Sequence, residues 1–334
     1  MKAGRQERHR LGLKISVAMC TFNGKQFLGS QLESLATQDR LPDELIVCDD
    51  GSSDGTCEIV REFGQNAPLP TRLFVNDDNL GSTKNFEQAI SLCQGDIVAL
   101  ADQDDVWYRH KLDRIEKAFQ RSSAIIAVFS DADLIDDSGS QLRGRLWDAF
   151  SFDLDEQKQF TNGRALNVLV KHPVVTGATM AFRRELFDIV APISSHDLHD
   201  WWISFLLASY GQFEPISDPL MQYRRHQGQQ EGLPPRVPGA LVAQARTRGP
   251  NFYLEQIEGF HRLHARLGEH RAGLPYADCA QMEIERKISH LARRAQLPRA
   301  RVARIPEVLR EAFNGGYRRY SAGWNSIARD LLIR

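Results

Sequence analysis

The chain has 334 residues, of which 42% are hydrophobic and 25% carry a charged side chain, a composition typical of a globular protein and not of a disordered one. Its formal net charge of −1 gives no overall attraction to nucleic acid or to a membrane. The length suits one large domain, or one domain with a helical extension.

The five cysteines are odd in number and form no CxxC pair. Disulfide bonds and a zinc site are therefore not expected, a reducing compartment fits best, and the cysteines are predicted to be small buried side chains. No apolar run typical of a signal peptide follows the polar, basic residues 1–10. The apolar stretch Trp201–Ala208 is far shorter than the roughly 20 residues that cross a bilayer.

Three short apolar runs dominate the first hundred residues, and helical patterns lie between them. Such runs are typical of strands buried on both faces, so we expect βαβ units and a doubly wound α/β sheet. The runs are Ile15–Cys20, Leu45–Cys48 and Ile97–Ala101. Each is followed by a polar cluster, and ligands bind beyond the carboxyl ends of the strands in such sheets.

The pattern changes after about Asp131. We predict loop and short helix for residues 131–167, and a mobile Gly- and Pro-rich loop for residues 227–238. Residues 239–334 are almost wholly helical in pattern. The other predicted elements are a strand at Val174–Phe182, a helix at His199–Tyr210, and short strands at Gln212–Ile216 and Leu220–Arg224.

Asp102, Gln103 and Asp104 form a D-x-D motif directly after the third apolar run. Two carboxylates with this spacing can converge on one hard cation, and Mg²⁺ or Mn²⁺ prefers oxygen ligands and retains positions for substrate phosphates. The alternative is a solvated acidic turn. The position after a buried strand favours the metal site.

Asp49 and Asp50 lead into a Gly- and Ser-rich turn that ends near Thr56. A capped strand-to-helix turn explains this segment, and a carboxylate there can also accept hydrogen bonds from a nucleobase or ribose. The sequence has no G-x-G-x-x-G and no P-loop lysine motif, so dinucleotide oxidoreductases and P-loop enzymes lose support.

Several motifs in one order resemble glycosyltransferase family 2 over about Lys14–Gly228. They are VAMCTFNG from Val17, CDDGSSDGT from Cys48, NLGSTKNF from Asn79, ADQDDVW from Ala101, TGATMAFRREL from Thr176, HDWW from His199 and YRRH from Tyr223. Within the family, DQDDVW combined with HDWW looks most like bacterial rhamnosyltransferases of polysaccharide and O-antigen assembly.

The resemblance implies a GT-A fold and a nucleotide-sugar donor. The positions that match donor-contacting residues are Thr21, Phe22, Asn23, Asp50, Lys84, Asp102 and Gln103. Phe22 stands where tyrosine is frequent in the family. Asp102 and Asp104 match the metal motif, with Asp104 favoured as the direct ligand, and His226 either completes the coordination shell or is a surface histidine beside two arginines.

On the acceptor side, Asp200 matches the general base that takes a proton from the attacking hydroxyl. The alternative is a helix N-cap before Trp201. Trp201 and Trp202 point about 100° apart on a helix, so at least one is expected in the core while the other contributes to the acceptor site with Gly177.

These matches divide the chain into a tail (1–13), a catalytic domain (14–238) with nucleotide-binding (14–130) and acceptor (131–238) halves, and a C-terminal helical region (239–334). The resemblance implies that the protein transfers a sugar with inversion, from a dTDP- or UDP-sugar to a glycan or lipid-linked acceptor, and that rhamnose from dTDP-rhamnose is one candidate. Mg²⁺ or Mn²⁺ is the expected cofactor, and no nucleic-acid partner is expected. Homo-oligomerisation is left open. A nucleotidyltransferase and a non-catalytic nucleotide-sugar binding module are the alternatives.

The C-terminal arm is basic. Ten arginines and three acidic residues lie between Arg293 and Arg334, a local net charge of +7. Apolar residues recur there at helical spacing, at Leu309, Phe313, Tyr317 and Tyr320. The arm is predicted either to lie on an anionic membrane surface or to pack as structure, and the protein to be cytoplasmic with weak, salt-sensitive attachment to the inner face of the membrane.

Overall fold

The computed structural model describes residues 12–226, 228, 250–270 and 273–332. These residues form two compact units. The first contains residues 12–163 and 175–228, and the second contains residues 164–174 and 250–332. The predicted mobile loop at 227–238 lies outside the described residues except for Gly228, as does the predicted boundary between residues 238 and 239.

A nine-stranded mixed sheet forms the centre of the first unit. Its strands are β1 (Ile15–Thr21), β2 (Glu44–Asp49), β3 (Thr71–Val75), β4 (Ile97–Asp102), β5 (Val106–Trp107), β6 (Ile125–Ile135), β7 (Gln141–Arg145), β8 (Met180–Arg183) and β9 (Gln212–Arg224). The order is β3-β2-β1-β4-β8-β6-β9-β5, with β7 beside β6. Strands β1 to β4 are parallel, and β8 is antiparallel to both β4 and β6.

Helices alternate with the first strands. They are α1 (Lys25–Ala36), α2 (Thr56–Asn66), α3 (Ser82–Leu92), α4 (Lys111–Arg121), α5 (Leu146–Phe150), α6 (Leu154–Thr161), α7 (Ala165–Leu169), α8 (Phe187–Val190) and α9 (His199–Ala208). Of these, α7 groups with the C-terminal unit. The predicted doubly wound α/β arrangement with a helical extension is confirmed.

The parallel strands bring their carboxyl ends to one edge of the sheet. Every residue of β1 is buried, which explains its unbroken apolar pattern. Thr21 pairs with Asp49 across β1 and β2, and Cys20 pairs with Asp102 across β1 and β4. The polar clusters that follow these strands therefore meet at this edge.

The structure differs from the sequence prediction at β6. This strand runs through Asp131 to Ile135, so it enters the segment that was predicted as loop and crosses the expected division at residue 130. Polar residues interrupt its pattern, but buried Asp131 accepts hydrogen bonds from the backbone N–H groups of Ala132 and Trp147 through one carboxylate oxygen. That pairing makes a carboxylate tolerable inside a strand.

Two other predicted strands have different bounds. Strand β8 begins only at Met180, because Gly177–Thr179 form a 3₁₀ turn. The two short strands predicted after α9 are one strand, β9, which contains Pro215 and Pro219. The register between β6 and β9 shifts around these prolines, and such irregularities are where a sheet tolerates residues without an N–H donor.

The C-terminal unit is helical, with α10 (Pro250–Glu269), α11 (Ala277–Ala295), α12 (Arg301–Phe313), α13 (Gly316–Tyr320) and α14 (Trp324–Leu332). Its interior contains a charged pair. Arg294 donates from Nε and Nη2 to the two oxygens of Asp330 at 2.6 and 3.0 Å, and Tyr317 donates its hydroxyl to the same carboxylate at 2.8 Å.

Cys20, Cys48, Cys57 and Cys93 are buried as predicted, whereas Cys279 is exposed, so the prediction is wrong for that residue. Within the described ranges, none of the helices combines the length and the apolar character required to span a bilayer.

Candidate functional site

A side-chain clamp fixes the turn after β1. Gln103 accepts a hydrogen bond from the N–H of Phe22 at 2.9 Å and donates its amide to the carbonyl of Phe22 at 3.1 Å. Asn23 adopts a positive φ of 47°. A Cβ atom on Gly24 would lie only 2.0 Å from Oε1 of Gln103, so glycine is required for the clamp to form.

Asp49 stabilises the turns at the same edge. It is fully buried, and it accepts hydrogen bonds from the hydroxyl of Thr21 at 2.7 Å and from the backbone N–H and hydroxyl of Ser52 at 2.8 and 2.6 Å. Burial alone would raise the pKa of Asp49, but these hydrogen bonds outweigh it and lower the pKa.

Asp50 holds the loop before α3. One carboxylate oxygen accepts from the amide of Asn76 at 2.9 Å and from the N–H of Leu80 at 2.8 Å, and the other accepts from the N–H of Gly81 at 2.9 Å. The side chain is 3% exposed. Asp50 therefore has a positioning role in addition to the predicted base contact.

Two of the three predicted metal ligands are in direct contact. A carboxylate oxygen of Asp104 lies 2.8 Å from Nε2 of His226, although 122 residues separate them in the chain. The imidazole also packs against the ring of Phe27, with centroids 4.8 Å apart. Strand β9, which ends two residues before His226, brings the histidine to the D-x-D motif.

Asp102, the third predicted metal ligand, interacts electrostatically with Asp104, Asp200 and Lys111. Burial and, after it, the negative charges of Asp104 and Asp200 raise the pKa of Asp102 to about 7, while the charge of Lys111 opposes them. The predicted general base and the D-x-D motif thus share one electrostatic environment.

Asp105 and Lys111 belong to this environment and were not predicted from the sequence. Asp105 is 1% exposed. Its Oδ1 accepts from the N–H of Arg224 at 3.0 Å, whereas Oδ2 has no hydrogen-bond partner in the described part of the chain. Burial, followed by the charges of Asp104 and Asp102, raises the pKa of Asp105 well above its ordinary value.

Lys111 is also almost completely buried, at 1% exposure. Its ammonium donates to the carbonyl of Ala178 at 2.7 Å and lies 3.8 Å from the ring centroid of Trp107. Burial lowers the pKa of Lys111 to about 7, and the carboxylates of Asp105 and Asp102 oppose that shift. Asp105 directly follows the D-x-D motif, and this position is the sequence feature that could have identified it. No sequence feature distinguishes Lys111.

Asp200 lies in the first turn of α9. The helix begins at His199 with Leu198 at the N-cap position, so Asp200 is not the N-cap. One carboxylate oxygen accepts from the N–H of Gly177 at 3.3 Å and the other from the N–H of Trp201 at 2.7 Å. The predicted base and the predicted acceptor-side glycine are thereby brought together.

The two tryptophans on α9 have different environments. Trp202 is 3% exposed and donates from Nε1 to the carbonyl of Val190 at 2.8 Å. It belongs to the core, which corrects its predicted place in an acceptor site. Trp201 is partly exposed and remains the acceptor-side candidate.

Other cationic residues near the site have structural partners. Lys84, in the first turn of α3, pairs with Glu87 at 2.8 Å. Arg224 donates from Nε to the carbonyl of Asp104 at 2.7 Å, and its guanidinium lies 4.6 Å from the ring centroid of Phe27. Arg224 therefore fixes the D-x-D loop.

The donor set fits a divalent cation in part. Among the described residues, no group of three histidine, cysteine or acidic side chains is arranged to hold a metal ion. Asp104 and His226 supply an oxygen and a nitrogen ligand at one point, and the carboxylates of Asp102 and Asp200 add negative charge nearby. Such a site suits a metal that keeps several positions for water and phosphate oxygens.

Comparison with known proteins shows the family of the chain. The family model "Glycosyl transferase family 2" matches residues 16–190, more than half of the chain. An uncharacterized glycosyltransferase of Nostoc sp. is 26% identical over 225 residues, which cover 64% of this chain and 65% of that protein. The chain thus spans slightly less than two thirds of this relative. The dTDP-rhamnosyl transferase RfbG of Shigella flexneri is 25% identical over 227 residues, 64% of this chain and 73% of that protein.

Among solved structures, residues 1–349 of TarS from S. aureus in complex with UDP-GlcNAc superpose with a TM-score of 0.55 at 18% identity, covering 91% of this chain and 92% of that one. This likeness concerns the fold, which is GT-A. Because the family model covers more than half of the chain, the chain belongs to glycosyl transferase family 2.

Proposed function

We propose that the chain is an inverting, metal-dependent glycosyltransferase that moves a sugar from a nucleotide diphosphate sugar to an acceptor hydroxyl. The observation that carries this proposal is the meeting of the D-x-D motif with Asp200. The N–H of Gly177, in the 3₁₀ turn that leads into β8, donates to Asp200, and β8 pairs with β4, which ends at Asp102. Residues from β4 and α9 therefore form one acidic centre at the carboxyl edge of the parallel strands, where the charges of Asp104 and Asp200 raise the pKa of Asp102.

In this proposal, Asp104 and His226 hold Mg²⁺ or Mn²⁺. When bound, the cation neutralises negative charge on the diphosphate leaving group. Arg224 and Asp105 keep the D-x-D loop in place, since the backbone N–H and the guanidinium of Arg224 bind Asp105 and the carbonyl of Asp104 respectively.

Asp200 acts as the general base. The N–H groups of Gly177 and Trp201 each donate to one of its oxygens, which fixes the carboxylate while the remaining lone pairs can accept the proton of the acceptor hydroxyl. Inversion requires that this hydroxyl attack the face of the sugar opposite the diphosphate. Trp201 and Gly177 are assigned to the acceptor side on this basis.

The donor nucleotide is assigned to the turn after β1 and its neighbours. Phe22 is 41% exposed, and its ring offers a surface for a base to stack on. Thr21, Asn23, Gln103 and Asp50 order that turn and the loop before α3, and Lys84 contributes a positive charge at the start of α3.

We propose dTDP-rhamnose or a UDP-sugar as the donor, and the likeness to the dTDP-rhamnosyl transferase RfbG supports the first of these. The test is to incubate the protein with Mn²⁺, each nucleotide sugar and glycan or lipid-linked acceptors, and to identify the nucleotide product. Nucleoside diphosphate released with a glycosylated acceptor, and suppressed by EDTA, is the expected result. Pyrophosphate released from a nucleoside triphosphate and a sugar phosphate would favour a nucleotidyltransferase instead, and donor binding without turnover of any acceptor would favour a binding module.

For localisation we propose peripheral contact with an anionic membrane through α12. Val302, Ile305, Leu309 and Phe313 are 79%, 43%, 46% and 87% exposed, and their spacing places them along one face of the helix. Tyr317 and Tyr320, which the sequence pattern grouped with Leu309 and Phe313, are buried instead. Exposed arginines at positions 299, 301 and 310 flank this apolar stripe, as expected for a surface that contacts anionic lipid.

A further inference from the structure

The C-terminal unit contains a cavity unrelated to the acidic centre. It has a volume of about 550 Å³ and lies between α11 and the turn that joins α12 to α13. This volume is in the range of sites for small ligands. Three arginines line it, Arg286 and Arg293 from α11 and Arg319 from α13, together with Ser289 and Asn314.

Two buried carboxylates fix the three guanidinium groups. Arg319 donates from Nε and Nη2 to both oxygens of Glu283 at 3.0 and 2.8 Å, and Arg286 donates to the same carboxylate at 2.9 Å. Arg293 binds both oxygens of Glu311, at 2.6 and 3.1 Å. The carboxylates are 5% and 6% exposed, whereas the arginine side chains are 49–56% exposed.

The carboxylates of Glu283, behind the cavity, and of Glu311, which lines it, are already used as acceptors. Glu283 also accepts the hydroxyl of Tyr320 at 3.0 Å, and Glu311 lies 2.6 Å from Nδ1 of His290. Gly316 leaves the space that Glu311 occupies, because a Cβ atom there would lie 1.9 Å from its Oε1. Each arginine therefore has one edge fixed to a carboxylate and keeps further N–H donors for which the described residues offer no partner.

An acceptor-rich anion is the ligand that matches such a cavity. Charge-assisted and bidentate hydrogen bonds from arginine are strongest with phosphate and carboxylate groups, and a guanidinium held in advance loses less entropy on binding. Glu285, on the cavity wall, is 65% exposed and is occupied by His264 at 3.2 Å. We infer that the cavity formed by Arg286, Arg293 and Arg319 is a binding site for a phosphoryl group.

Inorganic pyrophosphate is the probe, titrated into the full chain by calorimetry in EDTA so that the acidic centre holds no metal. We expect saturable binding that Arg286→Gln weakens by about tenfold, the usual effect of losing one charge-assisted hydrogen bond, and that Arg286→Lys weakens less. Arg61→Gln, which removes a half-exposed arginine paired with Glu58 on α2, is the matched control and should bind like the wild type.

Binding that is absent in the wild type, or that Arg286→Gln and Arg61→Gln reduce equally, would overturn the assignment. Circular dichroism of each variant separates loss of binding from loss of fold. Nucleoside diphosphate binding with Mn²⁺ should be unchanged in Arg286→Gln, so a failure of this inference is distinguishable from a failure of the proposed transferase activity.

The phosphoryl group can belong to a lipid or to a soluble compound, and vesicles distinguish the two. If pyrophosphate at constant ionic strength releases the wild type from phosphatidylglycerol vesicles and does not release Arg286→Gln, the cavity takes a lipid phosphate. If vesicle binding is indifferent to pyrophosphate while calorimetric binding persists, the ligand is soluble. Both results support the site.

Discussion

Asp200 is the residue on which the proposed chemistry depends most directly. Asparagine has nearly the same shape as aspartate. Its single carbonyl oxygen can still accept from one of the two N–H groups, those of Gly177 and Trp201, which bind different oxygens of the Asp200 carboxylate, but the amide cannot take a proton. We expect Asp200→Asn to lower turnover by roughly 10²–10⁴-fold and to leave donor affinity unchanged. Steady-state kinetics with a defined acceptor, together with donor titration, measure both quantities.

Asp155→Asn is the matched control for that substitution, because Asp155 is an 89% exposed carboxylate in the first turn of α6. It should have wild-type turnover. Wild-type turnover in Asp200→Asn as well would reduce Asp200 to an organiser of the first turn of α9.

Asp104 tests the metal. Its carboxylate faces His226, while its backbone carbonyl holds Arg224, so Asp104→Asn should remove a ligand without releasing the loop. We expect this variant to lose the Mn²⁺-dependent part of nucleoside diphosphate binding, and His226→Gln to weaken it less. Calorimetry with and without Mn²⁺ measures the difference, and Asp113→Asn, on the exposed Asp113–Lys117 pair of α4, is the control. Equal metal dependence in Asp104→Asn and wild type would contradict the ligand assignment.

At the scale of elements, the sequence predicted those strands whose environment is uniform. Strands β1, β2 and β4 are buried along almost their whole length and read as unbroken apolar runs. Strand β6 is equally central, but Asp131 and Asp133 interrupt its pattern, and only the tertiary partner of Asp131, the N–H of Trp147, makes that acceptable. Local patterns do not contain such partners.

The candidate site shows the same limit. The D-x-D motif and Asp200 follow from motifs, and the structure brings them together. Lys111 stands at the start of an amphipathic helix and looks like a solvent-facing residue in the sequence, yet it is buried against the carbonyl of Ala178 and the ring of Trp107. Ala178 lies 67 residues away in the chain, so the local pattern around Lys111 does not reveal this environment.

Substitutions at two glycines, Gly24 and Gly29, test whether the side chain of Gln103 fixes the turn between β1 and α1. In Gly24→Ala the new Cβ atom would displace Gln103, and the two hydrogen bonds to Phe22 would be lost, at about 1 kcal/mol each. We expect lower stability and weaker donor binding. Gly29→Ala, in the interior of α1 with no atom within 4 Å of the added Cβ, should instead stabilise the protein by about 0.5–1 kcal/mol.

Thermal unfolding and donor titration of both variants check this prediction. The double variant Gly24→Ala with Gln103→Ala should be no less stable than Gln103→Ala alone, because the collision has been removed. A further loss of stability in the double variant would mean that the alanine at position 24 collides with something other than the clamp.

Helix α11 carries a pH-dependent contribution to stability. Lys287 is buried and donates to the carbonyl of Tyr320 at 2.7 Å. Burial, followed by the charge of Arg294, lowers its pKa to about 7. The unfolded lysine has a pKa of about 10.4, so between these values the unfolded chain binds more protons and stability rises with pH.

We therefore expect the free energy of unfolding of the wild type to rise relative to that of Lys287→Met between about pH 7 and pH 8.5, by up to about 1.5 kcal/mol. Lys111, whose pKa is also lowered to about 7, acts in the same direction, whereas Asp102 and Asp105, whose pKa values are raised, act in the opposite direction. All three residues are present in both proteins, so their effects cancel in the comparison.

The pH range of the comparison ends near 8.5, the ordinary pKa of a thiol. Above that pH the raised pKa values of Cys48 and Cys93 lower the stability as pH rises. Urea unfolding of the wild type and of Lys287→Met at pH 7 and pH 8.5 gives the comparison. An equal change in the free energy of unfolding between the two pH values in both proteins would contradict the lowered pKa of Lys287.

At the scale of the whole molecule, the formal charge of −1 conceals a strongly basic C-terminal segment. One of the arginines of this segment, Arg294, is buried in a network with Asp330 and Tyr317, so its charge has a structural role. The arginines that flank the apolar stripe of α12 are instead exposed. The sequence pattern therefore combined residues with two different roles, and their exposure separates them.

Co-sedimentation with vesicles tests the exposed part. The full chain should bind vesicles that contain phosphatidylglycerol at low salt and dissociate at high salt, because each basic residue near an anionic surface contributes about 1 kcal/mol that salt screens. Replacing Val302 and Phe313 together by serine should lower the bound fraction by more than tenfold, since fully burying each of the two side chains is worth about 1.5–3 kcal/mol. Leu154→Ser, which removes a 70% exposed leucine of the first unit, is the control and should bind normally. If the wild type stays in the supernatant at low salt, α12 does not contact lipid, and recruitment to a membrane would have to come from the acceptor alone.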